Sequence, residues 1–138
     1  MIVTYSPAGQ PQKSWQFVPE DLPESAAEVI ERRWGGDTPT YEAWQQAIMH
    51  GQSRARRVLL WYLQWIDHPS LRLEDVDPRR SELKVEFTVG EVQRMLARVQ
   101  ASKRMNPDDK IRLIEALEIQ MESAPADELP AGKAPSEN

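Results

Sequence analysis

The stretch 58–66, Val58-Leu59-Leu60-Trp61-Tyr62-Leu63-Gln64-Trp65-Ile66, contains Gln64 as its only polar residue. A helix that is apolar all round must be covered on every side, by its own fold or by a partner. The run is too short to span a bilayer, which takes about 18 residues or more. A chain of 138 residues is one domain in size and buries roughly two thirds of its unfolded surface, so a core around this helix is within its means. The charged fraction of 28% and mean hydropathy of -0.64 keep part of the chain in water. The reading is therefore a helical body with unstructured ends.

Helical spacing and end signals extend this reading in both directions. Asp21-Leu22-Pro23-Glu24 has the residues of a helix start, followed by Ala26, Ala27, Ile30 and Trp34 on one face, with a stop at Gly35-Gly36. Thr38-Pro39 repeats the start signal, and Tyr41, Trp44 and Ile48 follow at helical intervals until Gly51. Ser53 is placed to cap the apolar helix. A later helix is expected over about 90–102, with Val92, Met95, Leu96 and Val99 inward. The last starts at Asn106-Pro107-Asp108-Asp109, where a cap, a proline and two acids suit the positive helix end, and turns Ile111, Ile114, Leu117 and Met121 inward.

Two β-prone runs, Ile2-Val3-Thr4-Tyr5 and Trp15-Gln16-Phe17-Val18, flank a segment with Pro7, Gly9 and Pro11 and predict a hairpin. An isolated hairpin is marginal, so it must lie on the helices. Leu83, Val85 and Phe87 alternate with polar residues and predict a short strand or extended arm. Beyond residue 122 prolines recur and Leu129 is the only large apolar residue. The expected fold is thus mainly α: one domain over 1–122 with about five helices and an N-terminal hairpin within 1–19, then a disordered tail over 123–138.

Function classes narrow by what the sequence lacks. The net charge of -5 gives no support for attraction to nucleic-acid phosphate or anionic lipid. Without cysteine there is no disulfide, thiolate nucleophile or Cys-based metal site. His50 and His68 lie eighteen residues apart without metal-ligand spacing, and no phosphate-cradling glycine loop or nucleophile elbow occurs. Most acids fall on expected solvated helix faces, with the loop pair Asp75 and Asp77 as the exception. The expectation is no enzyme: no catalytic, cofactor-binding or metal residues, and no cofactor.

Arg54, Arg56 and Arg57 form one basic cluster beside the apolar helix. It reads first as a solvated flank, then as a contact for an acidic protein surface, and last as a nucleic-acid contact. Trp15, Trp34 and Trp44 fit inward faces. Trp61 and Trp65 lie one turn apart, largely opposite the stripe of Ala55, Val58, Leu59, Tyr62 and Ile66, so either the fold covers them or they anchor a partner. The expected partner-binding set is Arg54, Arg56, Arg57, Leu60, Trp61 and Trp65.

The segment 26–76 resembles tail assembly chaperones of long-tailed bacteriophages, especially those of actinobacterial hosts. The carrying residues are Ala27-Glu28-Val29-Ile30-Glu31-Arg32-Arg33, Gly51-Gln52-Ser53-Arg54-Ala55-Arg56-Arg57-Val58-Leu59-Leu60-Trp61 and His68-Pro69-Ser70-Leu71-Arg72-Leu73-Glu74-Asp75-Val76. The hairpin and the alternating 82–87 stretch are similar to that pattern too. The resemblance implies a non-enzymatic chaperone that coats the tape measure protein, helps recruit tail tube protein, works in the infected host cytoplasm and is absent from the mature virion. It also implies a longer product from a programmed frameshift, for which Gly132-Lys133 is a suitable place. A homo-oligomer is compatible with this reading, and a membrane role is not expected. The alternatives are a structural or connector component retained in the virion and a small nucleic-acid-binding regulator.

Overall fold

The computed structural model describes residues 1–37 and 39–127. In chain order the elements are strands β1 (Ile2–Tyr5) and β2 (Lys13–Gln16), helices α1 (Glu24–Trp34), α2 (Tyr41–Met49) and α3 (Ser53–Trp65), strand β3 (Leu83–Glu86), and helices α4 (Val89–Ala101) and α5 (Pro107–Ser123). The mainly helical fold with five helices agrees with the sequence reading. The strand order is β2-β1-β3 in one antiparallel sheet, so the alternating segment completes a sheet rather than forming a separate arm. The chain divides into two compact units, one of Val3–Lys84 and one of Met1–Ile2 with the chain from Val85 onward. The division falls within β1 and β3.

In the Val3–Lys84 unit, α3 is the buried centre. Ala55, Val58, Leu59, Leu60, Trp61, Tyr62 and Leu63 are all buried along it, so the fold covers the apolar helix as far as Leu63. Burying each large side chain contributes about 1.5–3 kcal/mol. Trp44 of α2 is fully buried, and its indole N–H donates to the Ala55 carbonyl at 3.2 Å. Phe17 meets the Trp44 ring edge-on at 6.0 Å and the Tyr62 ring at 6.4 Å, while Tyr41 stacks on Trp44 at 5.5 Å. Burial raises the Tyr41 hydroxyl well above its ordinary titration range, which keeps it a donor to the Pro19 carbonyl at 3.0 Å. Trp15 and Trp34 are only half-buried. The Trp34 indole N–H finds a polar partner in Gln52 Oε1 at 2.7 Å.

Three helix starts differ from the sequence expectation. Asp21 does not cap α1: Pro19–Asp21 forms a 3-10 turn, and Pro23 precedes the helix with no side-chain cap. Thr38 lies outside the described residues, and Thr40 caps α2 by accepting from the Ala43 amide at 3.1 Å. Ser53 is the first residue of α3 rather than its cap, and its hydroxyl accepts from Arg80 at 2.7 Å. Gly51 turns α2 into α3 at φ 72, a backbone region open to glycine and strained for other residues.

In the other unit α4 and α5 pack on each other through Val92, Met95, Val99 and Leu117, joined by Phe87, Leu96, Met105, Ile114 and Met121. Ile111, expected inward, is 56% exposed. Thr88 caps α4 in a reciprocal box with Glu91. The expected tail begins differently from the reading: α5 runs through Ser123, the Val89 amide donates to the Pro125 carbonyl, and the Gly90 amide donates to Asp127 Oδ1, both at 2.9 Å. The rest of the expected tail, residues 128–138 with Gly132 and Lys133, lies outside the described residues.

Gly90 is what lets the Asp127 carboxylate approach, since a Cβ there would stand 2.6 Å from Oδ1. A hydrogen bond from the Thr88 hydroxyl and that from the Gly90 amide hold the Asp127 carboxyl below its ordinary range, with Arg94 and the α-amino group adding attraction. Because the folded value is depressed, the contact stabilises above the usual carboxylate range and is lost as pH falls through the folded value. Asp127→Asn should therefore lower the melting temperature at neutral pH, and the difference should shrink as pH falls through the depressed folded value. Paired thermal melts across that range check it, and Gly90→Ala should disrupt the same contact sterically.

Candidate functional site

The three expected arginines do different work from that of an open basic patch. Arg57 donates through Nε to the Val76 carbonyl at 2.6 Å and through Nη2 to the Leu73 carbonyl at 3.0 Å. Arg56 donates to the carbonyls of Leu83 and Arg80. Burial and the nearby Arg80 guanidinium lower its pKa. Arg54 donates through Nε to the Trp34 carbonyl and through Nη2 to the Arg33 carbonyl, each at 2.8 Å. These are the last carbonyls of α1, where a cation also suits the negative helix end. All three guanidiniums thus tie α3 to neighbouring backbone.

The aromatic half of the expected set divides. Leu60 and Trp61 each have 0% exposure, so they are core residues and not partner anchors; this corrects the expectation for both. The reason is that the segment after α3 folds back over it. The Trp61 indole N–H donates to the Leu71 carbonyl at 3.0 Å, and the Arg33 guanidinium lies 5.2 Å over the Trp61 ring. Trp65 stacks on Trp61 at 5.2 Å and donates its indole N–H to the Pro69 carbonyl at 3.1 Å, but it stays half-exposed. Ile66, expected inward, is 55% exposed.

Trp65 and Arg54 meet in a recess of about 450 Å³ together with Arg32, Arg33, Arg72 and an apolar edge of Pro69, Leu71 and Leu73. Four arginines thus surround one opening in a chain of net charge -5. Arg72 grips Asp75 through a two-pronged contact, Nε to Oδ2 at 3.3 Å and Nη2 to Oδ1 at 3.2 Å, and approaches Glu74 at 3.6 Å. The same contact holds the Asp75 carboxyl below its usual range, the opposite of the upward tuning a general acid needs. Arg32, Arg33 and Arg54 have no ion-pair partner among the described residues. Such a site can take carboxylates in forked contacts beside apolar side chains.

Sequence reasoning missed Arg32, Arg33, Arg72, Leu71 and Leu73 as parts of this recess. Arg32 reads as part of a wet helix face, and no spacing rule links it or Arg33 to a loop some forty residues on. His50 and His68 are exposed, and the His50 ring contacts the Gln46 carbonyl at 2.7 Å. Among the described residues no helix is long and apolar enough to cross a membrane. Comparison with protein-family models, with curated proteins and with solved structures finds no match to this chain.

Proposed function

We propose that this protein is a non-enzymatic tail assembly chaperone of a long-tailed bacteriophage, which binds the tape measure protein through the arginine and Trp65 recess and helps recruit tail tube subunits. One observation carries the reading. The three segments of the resemblance, distant in sequence, all contribute to the same recess: Arg32 and Arg33 from the first, Arg54 from the second, and the run from Pro69 to Glu74 from the third. A site with cationic and apolar walls suits an amphipathic client helix whose apolar face needs cover and whose acids need partners. In this reading the protein acts in the host cytoplasm and leaves before the virion matures.

Co-expression with the tape measure protein tests this. Arg32→Glu combined with Trp65→Leu should reduce recovered complex by tenfold or more, since opposite charge and an aromatic anchor are both lost. The melting temperature should fall by only a few degrees, because Arg32 is exposed and Trp65 half-exposed. Undiminished recovery of the complex would exclude the recess as the client site.

A further inference from the structure

We propose that a second opening of the Val3–Lys84 unit, lined by Ser53, Arg56, Arg57, Asp77, Arg79 and Arg80, binds a small phosphate compound through its phosphate or diphosphate group. The site is separate from the recess and does not depend on the chaperone reading. A 3-10 turn over Arg80–Glu82 sets Arg79 and Arg80 against the first residues of α3. From that turn Arg80 donates through Nη1 to the Ser53 hydroxyl at 2.7 Å and through Nη2 to the Gly51 carbonyl at 3.2 Å. From α3, Arg56 donates through Nη2 to the carbonyls of Leu83 and Arg80. Each guanidinium is thus anchored on the other's segment. A guanidinium has five N–H donors, so these anchors do not exhaust either one. The Ser53 oxygen accepts from Arg80, which leaves the hydroxyl proton to donate to a ligand.

Carbonyl partners satisfy the donors of an arginine without cancelling its charge. Four arginines line this opening and one acid, Asp77, lines it with them. Asp77 makes no ion pair among the described residues. The next acid along the chain, Glu82, accepts from the Arg79 amide at 2.8 Å and the Ala8 amide at 3.3 Å, and so is committed to backbone. The crowding registers on Arg56, whose pKa is lowered by burial and then by the charge of Arg80. An anion between the two guanidiniums relieves that repulsion. The opening of about 240 Å³ is below the roughly 300–1,000 Å³ of sites for drug-sized ligands, so a compact ion fits it better than a whole cofactor. A carboxylate offers two oxygens in one plane and suits a single fork. Donors here come from α3 and from the 79–80 segment, and the oxygens of a tetrahedral phosphate point to several sides at once. The recess differs, because its Arg72 is already held by Asp75 and Glu74 and its edge is apolar.

Titration calorimetry of the full chain with sodium diphosphate tests the proposal, against sodium chloride at matched ionic strength. One diphosphate per chain should bind with a Kd of about 1 mM or tighter. At ten times that Kd the melting temperature should rise by about 4 °C or more, and chloride should not reproduce the rise. Arg79→Gln with Arg80→Gln should weaken binding tenfold or more, whereas Arg32→Gln with Arg72→Gln, at the recess, should leave it unchanged. If the first pair does not fold, as circular dichroism would show, Arg79→Gln alone should still weaken binding about threefold, since its side chain is exposed. Adenosine diphosphate that binds as well as free diphosphate would support a nucleotide as the source of the group. No binding at about 10 mM overturns the proposal, and so does undiminished binding by the Arg79 and Arg80 variants or a loss confined to the recess variants. A short oligothymidylate that displaces diphosphate at lower concentration would also overturn it, by giving the arginines to nucleic acid.

Discussion

Trp61→Ala is expected to destabilise the Val3–Lys84 unit severely, not merely to weaken binding. The side chain is fully buried, stacks on Trp65 at 5.2 Å, lies under the Arg33 guanidinium and donates to the Leu71 carbonyl. Replacing a buried tryptophan by alanine costs about 3–5 kcal/mol, and the lost indole leaves the Leu71 carbonyl without that donor. A domain stable by about 5–15 kcal/mol loses a large share of its margin. The melting temperature should drop by about 15–30 °C, measured by circular dichroism. Trp65→Leu in the same experiment should shift it far less, since Trp65 is half-exposed. In the sequence the two are a pair one turn apart with nothing to separate their fates.

Arg57→Ala is expected to be the most damaging of the single arginine substitutions near α3. Its guanidinium joins α3 to the carbonyls of Leu73 and Val76, and Val76 is itself buried. Hydrogen bonds from a charged donor contribute about 1.5–3 kcal/mol each when buried. Arg57 is half-buried, which lowers the expected total for the pair to about 2–3 kcal/mol. Urea denaturation should show the midpoint falling with an unchanged slope. Arg57→Lys should recover only part of the loss, because an ammonium group lacks the planar fork that reaches two carbonyls at once.

The parts of the fold that were legible are those in which one residue type has one physical consequence. A run with Gln64 as its only polar residue had to be largely enclosed, and α3 is buried from Val58 to Leu63. Asn106-Pro107 had to begin a helix, and α5 starts there with the Asn106 side chain accepting from the Asp108 amide. Leu83 and Val85 alternating with charges had to face a covered side and an open side, and β3 joins the sheet. Legibility failed where one residue type has several outlets. Serine, threonine and aspartate can each cap a helix or do something else, so Asp21 entered a 3-10 turn and Ser53 took a hydrogen bond from Arg80. An arginine reads as surface charge whether it faces water or a carbonyl. Only the fold shows that Arg54, Arg56 and Arg57 reach backbone oxygens on three different segments.

The recess was the least legible feature for the same reason. Its lining comes from the end of α1, the start and end of α3 and the segment that follows. Periodicity relates residues within one element, and nothing in it brings Arg32 near Arg72. Sequence marks Trp65 and Arg54 as partner residues but not Arg32, Arg33 or Arg72, because an aromatic residue beside the apolar run or an arginine in a cluster stands out, whereas a scattered exposed arginine signals only water.

Client binding at the recess is the central requirement of the proposed function. The indole N–H signals of the five tryptophans, followed by NMR as a soluble tape measure fragment is added, report on it most directly. The Trp65 signal should shift and broaden with added fragment, and the buried Trp44 signal should stay in place. A saturating fragment that leaves Trp65 unmoved would contradict the account.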